Sequence, residues 1–125
     1  MTHADTSREA AARIIAECDA DIARAGNEQI RNTWLALIHD AEIEALKVML
    51  KYPQPNYVIT KFAEEAGEVV KAAVHMAEGR ETAENLRGEM KQVLAMLFRL
   101  WIEGDKVHGL PPVCMALAER VKNDV

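Results

Sequence analysis

Glu65 and Glu68 stand three residues apart in a stretch free of proline, and Glu89 and Gln92 repeat that interval further along the chain. On a helix of about 3.6 residues per turn, positions three apart differ by roughly 60° around the axis, so each pair projects from one flank. Glu64 and Lys61 lie beside the first pair. Carboxylates brought together in this way repel one another unless a cation sits among them, and their hard oxygens suit Mg²⁺ or Mn²⁺. Mg²⁺ keeps part of its water shell and bridges carboxylates to phosphate oxygens, which makes a polyphosphate the natural ligand. The same residues admit a plainer account. Acidic pairs at this spacing are common on solvated helix faces, and Lys61 and Lys71, each within three or four places of a glutamate, can offset the repulsion without a metal.

Carboxylates from two segments converge only if the segments pack side by side, and the composition favours helices for that task. Half of the 125 residues are apolar but only 5% are aromatic, with Ala, Leu, Val, Ile, Met, Glu and Lys prominent. The length is that of one ordinary domain, and residues 1–125 are read as a single helical domain. The expected fold is all-α: an antiparallel bundle of about five helices with a four-helix core, completed by dimerisation.

Five segments can be placed. The first runs from Ser7, a suitable N-cap, to Arg24, with Ala11, Ile14, Ile15, Cys18 and Ile22 on one stripe, and Ala25, Gly26 and Asn27 end it. The second spans Glu28 to Lys51. It carries Trp34, Leu37, Ile38, Ala41, Ala45, Val48 and Met49 on one side and Leu35, Ile43, Leu46 and Leu50 on another. A helix apolar on two sides must bury both, which predicts a self-association surface. Pro53 and Pro55 break the chain. A third helix covers Val58 to Glu78, with Ile59, Phe62, Ala63, Ala66, Val69, Val70, Ala73 and Ala77 as its core stripe, and Gly79 ends it. A fourth covers Thr82 to Glu103, turning Leu86, Met90, Val93, Leu94, Leu97, Leu100 and Trp101 inward, with Gly104 at its end. So short a connection makes the third and fourth helices antiparallel neighbours, and residues 58–103 carry both acidic pairs. Pro111 and Pro112 suit the first turn of a short last helix reaching Lys122.

The stretch Ile59-Thr60-Lys61-Phe62-Ala63-Glu64-Glu65-Ala66-Gly67-Glu68-Val69-Val70-Lys71 resembles the E-E-x-x-E helix of the MazG-like, all-α nucleoside triphosphate pyrophosphohydrolases. Arg87-Gly88-Glu89-Met90-Lys91-Gln92-Val93-Leu94 resembles that family's second helix, which carries E-x-x-D before an apolar run. Together the resembling region covers about a third of the chain. The resemblance implies Mg²⁺ ligands at Glu65, Glu68 and Glu89, with Mn²⁺ as a substitute, and places Gln92 where the family has an aspartate. Glutamine offers only a neutral carbonyl oxygen on a longer arm, so it holds a divalent cation less tightly. Glu64 would then serve as an outer, water-orienting carboxylate. The implied reaction is hydrolysis of an NTP or dNTP to its monophosphate and pyrophosphate, in the manner of a nucleotide-pool cleansing enzyme, with Lys61 and Lys91 on the phosphates and Trp34 and His39 near the base. Trp34 fits a core position at least as well, and His75, one turn beyond Lys71, could border the site. Two other readings stay open: a nucleotide-binding or regulatory relative that has lost turnover through Gln92, and a structural helical oligomer. No base-specific motif separates phosphoribosyl-ATP, dUTP or dCTP as substrate. The family habit, like the two-sided second helix, points to a homodimer or dimer of dimers.

A net charge of −5, with acidic and basic residues interspersed, excludes the clustered basic face that duplex nucleic acid requires. Apolar runs such as Val93 to Phe98 fall far short of the ~20 residues of a membrane span. Met1 to Arg8 has no basic start and apolar run, so a cytoplasmic location is expected. Cys18 and Cys114 lack C-x-x-C partners and read as reduced, buried thiols, so neither zinc nor a disulfide is expected. His3, His39 and His108 are too dispersed to suggest a metal cluster.

Overall fold

A computed structural model describes residues 3–24 and 26–123. Five helices account for nearly all of them: α1 (His3–Arg24), α2 (Asn27–Lys51), α3 (Val58–Ala77), α4 (Ala83–Ile102) and α5 (Val113–Asn123). The fold is all-α. Among the described residues the only β-type pairing is an isolated bridge between Asp105 and Leu110, and no helix is long and apolar enough to cross a membrane. The chain divides into two compact units, Met1–Ala36 and Leu37–Val125.

The helix limits follow the local chemistry with two corrections. α1 begins at His3, so Ser7 lies inside the helix and is not its N-cap. α5 begins at Val113, and Pro112 stands before it with its carbonyl accepting from the N–H groups of Met115 and Ala116. The two prolines therefore precede the first turn instead of occupying it. Elsewhere the punctuation matches the expectation. Gly26 opens α2 with its carbonyl and has a positive φ, while Ala25 lies outside the described residues. Gly79, at φ 76°, ends α3: the Arg80 N–H returns to the His75 carbonyl and the Gly79 N–H to Met76, the paired bonds of a Schellman motif. Thr82 caps α4 by accepting from the Asn85 N–H at 3.2 Å.

In the first unit, every described side chain of α1 is exposed except half-buried Ala10. Ile14 and Ile15 are 60% and 63% exposed and Cys18 is exposed, so the α1 stripe is uncovered, while the Ile22 side chain lies outside the described set. Trp34 is 51% exposed and is not a core residue. Cys114, in the second unit, is half-buried. Neither thiol is buried as expected: Cys18 is exposed on α1, and Cys114 is half-buried in the first turn of α5.

In the second unit α3 and α4 form a hairpin, α4 also packs on α5, and the last turns of α2 pack on α4. The central cluster is Ala45, Ala95 and Met96, with Val48, Phe62 and Phe98 against it. On α2 the side bearing Leu37, Ala41 and Ala45 is buried, as expected, and Leu46 and Leu50 on the other side stay exposed. On α3 and α4 the buried positions match the expected stripes only in part. Val58, Phe62, Glu65, Ala66, Val69, Ala72 and His75 are the buried or half-buried positions of α3, so Phe62, Ala66 and Val69 lie inward as expected. On α4 Ala95, Met96 and Arg99 are buried, and Leu86, Val93, Leu94 and Leu100 are half-buried, as expected, together with Gly88, Glu89 and Gln92. Ile59, Val70, Met90, Leu97 and Trp101, expected inside, are 37–64% exposed. Ala72 and Ala95 are the small residues buried in this packing, whereas a Cβ at Gly88 would meet only open space. Of the acidic pairs, Glu65, Glu89 and Gln92 are half-buried and Glu68 is exposed.

The open end of the hairpin is tied by polar groups. Asp105, 0% exposed, accepts from the Ile59 N–H at 2.9 Å and from the His108 N–H at 3.1 Å. Its Oδ2 also meets His108 Nδ1 at 2.9 Å. Tyr57, the residue before α3, makes no side-chain cap, so Asp105 caps the helix from across the fold. Burial pushes the Asp105 carboxyl up, but the hydrogen bonds from Ile59 and His108 outweigh it and hold it below the usual carboxylate range. Arg99, 2% exposed, donates through Nε to Glu103 and through Nη2 to the Tyr52 carbonyl, both at 2.8 Å. Gly104, at φ 69°, lies so close to the backbone of Leu110 and Pro111 that a Cβ there would collide with both.

Candidate functional site

A groove of about 540 Å³ runs along the α3–α4 hairpin toward its turn. Glu68, Lys71 and His75 line it from α3, and Glu89, Lys91 and Gln92 from α4. Glu81 and Glu84 stand at its turn end. Lys71 and Lys91 thus share a wall with four carboxylates, an arrangement of alternating sign suited to a cation-bridged anion. The Thr82 N–H at 2.8 Å and then the Asn85 amide at 2.7 Å hold the Glu81 carboxyl below the usual range, so it is ionised at neutral pH.

Glu65 lies one turn before Glu68 with its side chain only 14% exposed, and Lys61 reaches it at 3.2 Å. The same ammonium stands 3.7 Å from the exposed Glu64 carboxylate. The hydrogen bond to Glu65 is the main reason the Lys61 ammonium titrates above its ordinary value, so it is fully charged at neutral pH. Gln92 is half-buried and its amide has no hydrogen-bond partner among the described residues. Arg87, at the start of the second acidic stretch, is held by Asp40 of α2 at 2.8 Å.

The structure brings Glu68, Glu89, Gln92 and Lys91 to one groove, with His75 beside them as its spacing suggested. Glu65 is adjacent on the seam but engaged by Lys61, and Glu64 faces solvent. His39 is exposed and lines neither the groove nor the smaller niche beside it. Among the described residues, no three His, Cys, Asp or Glu side chains are gathered closely enough to hold a metal ion. The ligand set is not preassembled: ionised carboxylates repel at short range, and here the cation nearest Glu65 is an ammonium. The donor chemistry nevertheless fits a hard cation, since Glu65, Glu68, Glu89 and the Gln92 carbonyl offer oxygen alone, from two helices packed together.

The chain matches no protein-family model, no curated protein and no solved structure. The likeness to the MazG-like enzymes thus rests on the two acidic helices themselves. Sequence spacing missed Glu81, Glu84 and Asn85, which become part of the groove because the hairpin turn is tight. The Thr82 cap is the signal that places them: it starts α4 immediately after the turn and directs its first acidic residues toward α3.

Proposed function

We propose that the chain is a divalent-cation-dependent nucleotide pyrophosphohydrolase of the MazG-like kind, with the α3–α4 groove as its polyphosphate site. The observation that carries this reading is the convergence of Glu68 and Glu89, from separate helices, on one groove flanked by Lys71 and Lys91. Glu65, Glu68, Glu89 and the Gln92 carbonyl would hold Mg²⁺ or Mn²⁺. When bound, such an ion neutralises phosphate charge and lowers the pKa of water that it holds. Lys71 and Lys91 meet phosphate oxygens, orienting the chain of phosphates along the groove. Lys61, released from Glu65, reaches the same phosphates from the neighbouring turn. Glu64, exposed and one residue from Glu65, accepts a proton from attacking water.

The test is pyrophosphate release from a panel of NTPs and dNTPs with Mg²⁺ or Mn²⁺, alongside Gln92→Asp. Release that disappears in Glu68→Gln and Glu89→Gln supports the assignment. No release by the wild-type chain or by Gln92→Asp counts decisively against it.

A second reading is favoured by one specific observation, the neutral, unpartnered Gln92 in a ligand position: a nucleotide-binding protein without turnover. It predicts calorimetric binding without hydrolysis in the wild type and hydrolysis in Gln92→Asp. In either case the exposed faces bearing Leu46 and Leu50 on α2 and Leu97 and Trp101 on α4 support self-association as a homodimer or dimer of dimers. Sedimentation of the chain as a monomer at all concentrations would contradict that.

A further inference from the structure

The Lys61 ammonium stands 3.2 Å from the Glu65 carboxylate and 3.7 Å from that of Glu64, so a cation already occupies the place where a metal ligand must be open. We infer that Lys61 is a resident cation displaced by the divalent ion, and that its passage from Glu65 to a phosphate oxygen couples metal binding to polyphosphate binding. The inference rests on the groove's role as the polyphosphate site and adds a regulation of that site.

Charge is the first ground. The Glu65 side chain is 14% exposed, so its carboxylate has given up much of its water and needs a positive neighbour. Among the described residues its only ion pair is with Lys61. A Mg²⁺ ion sits about 2.1 Å from each oxygen that holds it. An ion taken up by Glu65 therefore comes within a few ångströms of the ammonium, and the two positive charges repel.

Mobility is the second ground. The Lys61 side chain is 53% exposed, and a flexible stem carries its compact charge without a fixed contact geometry. Arg99 is the contrast: 2% exposed, it is held at 2.8 Å by both Glu103 and the Tyr52 carbonyl. The exposed Glu64 carboxylate, already near, receives the displaced ammonium when no phosphate is present.

Location is the third ground. Lys61 borders a second cavity of about 250 Å³, and Gln92 lines both that cavity and the groove. Lys71 and Lys91 line the groove with no carboxylate paired to them among the described residues, so they meet an anion with or without a metal. Lys61 differs. Leaving Glu65 without a replacement cation exposes a half-buried carboxylate to the full loss of its partner, so its arrival at a phosphate is conditional on the metal. When both ligands are bound the ammonium also leaves Glu64, which frees that carboxylate to take a proton from water. Lys61 is thus a positioning residue, and by linkage each ligand tightens the other through it.

The test follows the Lys61 ammonium directly by NMR in the full chain with isotope-labelled lysine, its resonance being the one absent from Lys61→Met. The probes are Mg²⁺ alone, inorganic phosphate alone, and the two together, inorganic phosphate being chosen because it chelates Mg²⁺ only weakly in solution. Phosphate alone is expected to leave the resonance nearly unmoved, Mg²⁺ to shift it, and the pair to shift it by more than the sum of the two. Calorimetry then measures how far excess phosphate tightens Mg²⁺. That enhancement is expected to be about fivefold greater in the wild type than in Lys61→Met, and Lys61→Arg is expected to restore most of it. A resonance indifferent to bound Mg²⁺, or equal enhancement in wild type and Lys61→Met, overturns the displacement and leaves the groove's assignment standing. Failure of the wild-type chain to bind either probe overturns both.

Discussion

Asp105→Asn changes one oxygen to an NH₂ group at nearly constant volume, and its cost can be worked from the bonds that Asp105 makes. Oδ2 accepts from the Ile59 N–H at 2.9 Å and faces His108 Nδ1 at 2.9 Å, while Oδ1 accepts from the His108 N–H at 3.1 Å. Asparagine has one carbonyl oxygen to set against two backbone donors on opposite sides. Whichever way the amide lies, one N–H meets another N–H. Losing a charge-assisted bond and leaving a donor unsatisfied each cost about 1–3 kcal/mol, and the partly exposed His108 ring adds little because water screens it. Uncharging a fully buried carboxyl returns part of that loss. The expected net destabilisation is about 2–3 kcal/mol at pH 7. Urea unfolding followed by circular dichroism measures it directly, and amide exchange should show the Ile59 N–H losing protection while the Ala95 region keeps its own. A change below about 0.5 kcal/mol, within ordinary surface-mutation scatter, would refute the claim that Asp105 caps α3.

The same carboxylate sets an acid limit. Its folded-state value lies below the ordinary 3.8, so its stabilisation is complete above the unfolded value and is lost as the pH falls through the lowered folded one. Wild-type stability should therefore drop below about pH 4 more steeply than that of Asp105→Asn, as parallel urea titrations would reveal. Gly104→Ala places a Cβ against Leu110 and Pro111 at positive φ and should cost at least ~2 kcal/mol, read as a lowered thermal midpoint. Lys61→Met should cost about 1 kcal/mol, since the ammonium and Glu64 are more than half exposed but the Glu65 carboxylate that it meets is only 14% exposed and would lose its partner. It should tighten Mn²⁺ binding about twofold by freeing Glu65 yet weaken pyrophosphate, and parallel losses of both would show that Lys61 does not compete for that carboxylate.

Helix limits were legible because their signals are local. Pro53 and Pro55 forbid continuation, Gly79 and Gly104 take the positive φ that ends α3 and α4, and Thr82 caps within its own turn. The buried face was less legible. Periodicity on α3 and α4 counts apolar residues without knowing which are turned toward partners, and the exposed Val70 and Leu97 look as much like core as the half-buried Val69 and Leu94. The candidate site was readable as four residues at a repeated spacing. What spacing could not convey is that Glu65 is nearly buried and met by Lys61, or that Gln92 stands between two cavities. Asp105 gave no sign at all, because a cap supplied from 46 residues away has no local pattern.

The polar ties at the open end of the hairpin also bear on the order in which the chain folds. They join residues 46 to 52 apart in sequence: Ile59 to Asp105, Tyr52 to Arg99 and Gln54 to Lys106. Closing such loops from an open chain is entropically costly, but the tight 78–82 turn lets α3 and α4 pair locally and carry their far ends together. The ties are then expected to form after the rate-limiting step. Asp105→Asn should accordingly speed unfolding by most of its destabilisation and leave the folding rate nearly unchanged in a stopped-flow chevron, whereas slowed folding would mean that the ends meet first. A protein built this way resists opening at the end where Tyr52, Gln54 and Asp105 make their ties, so that end is locked kinetically by groups that contribute little to its assembly.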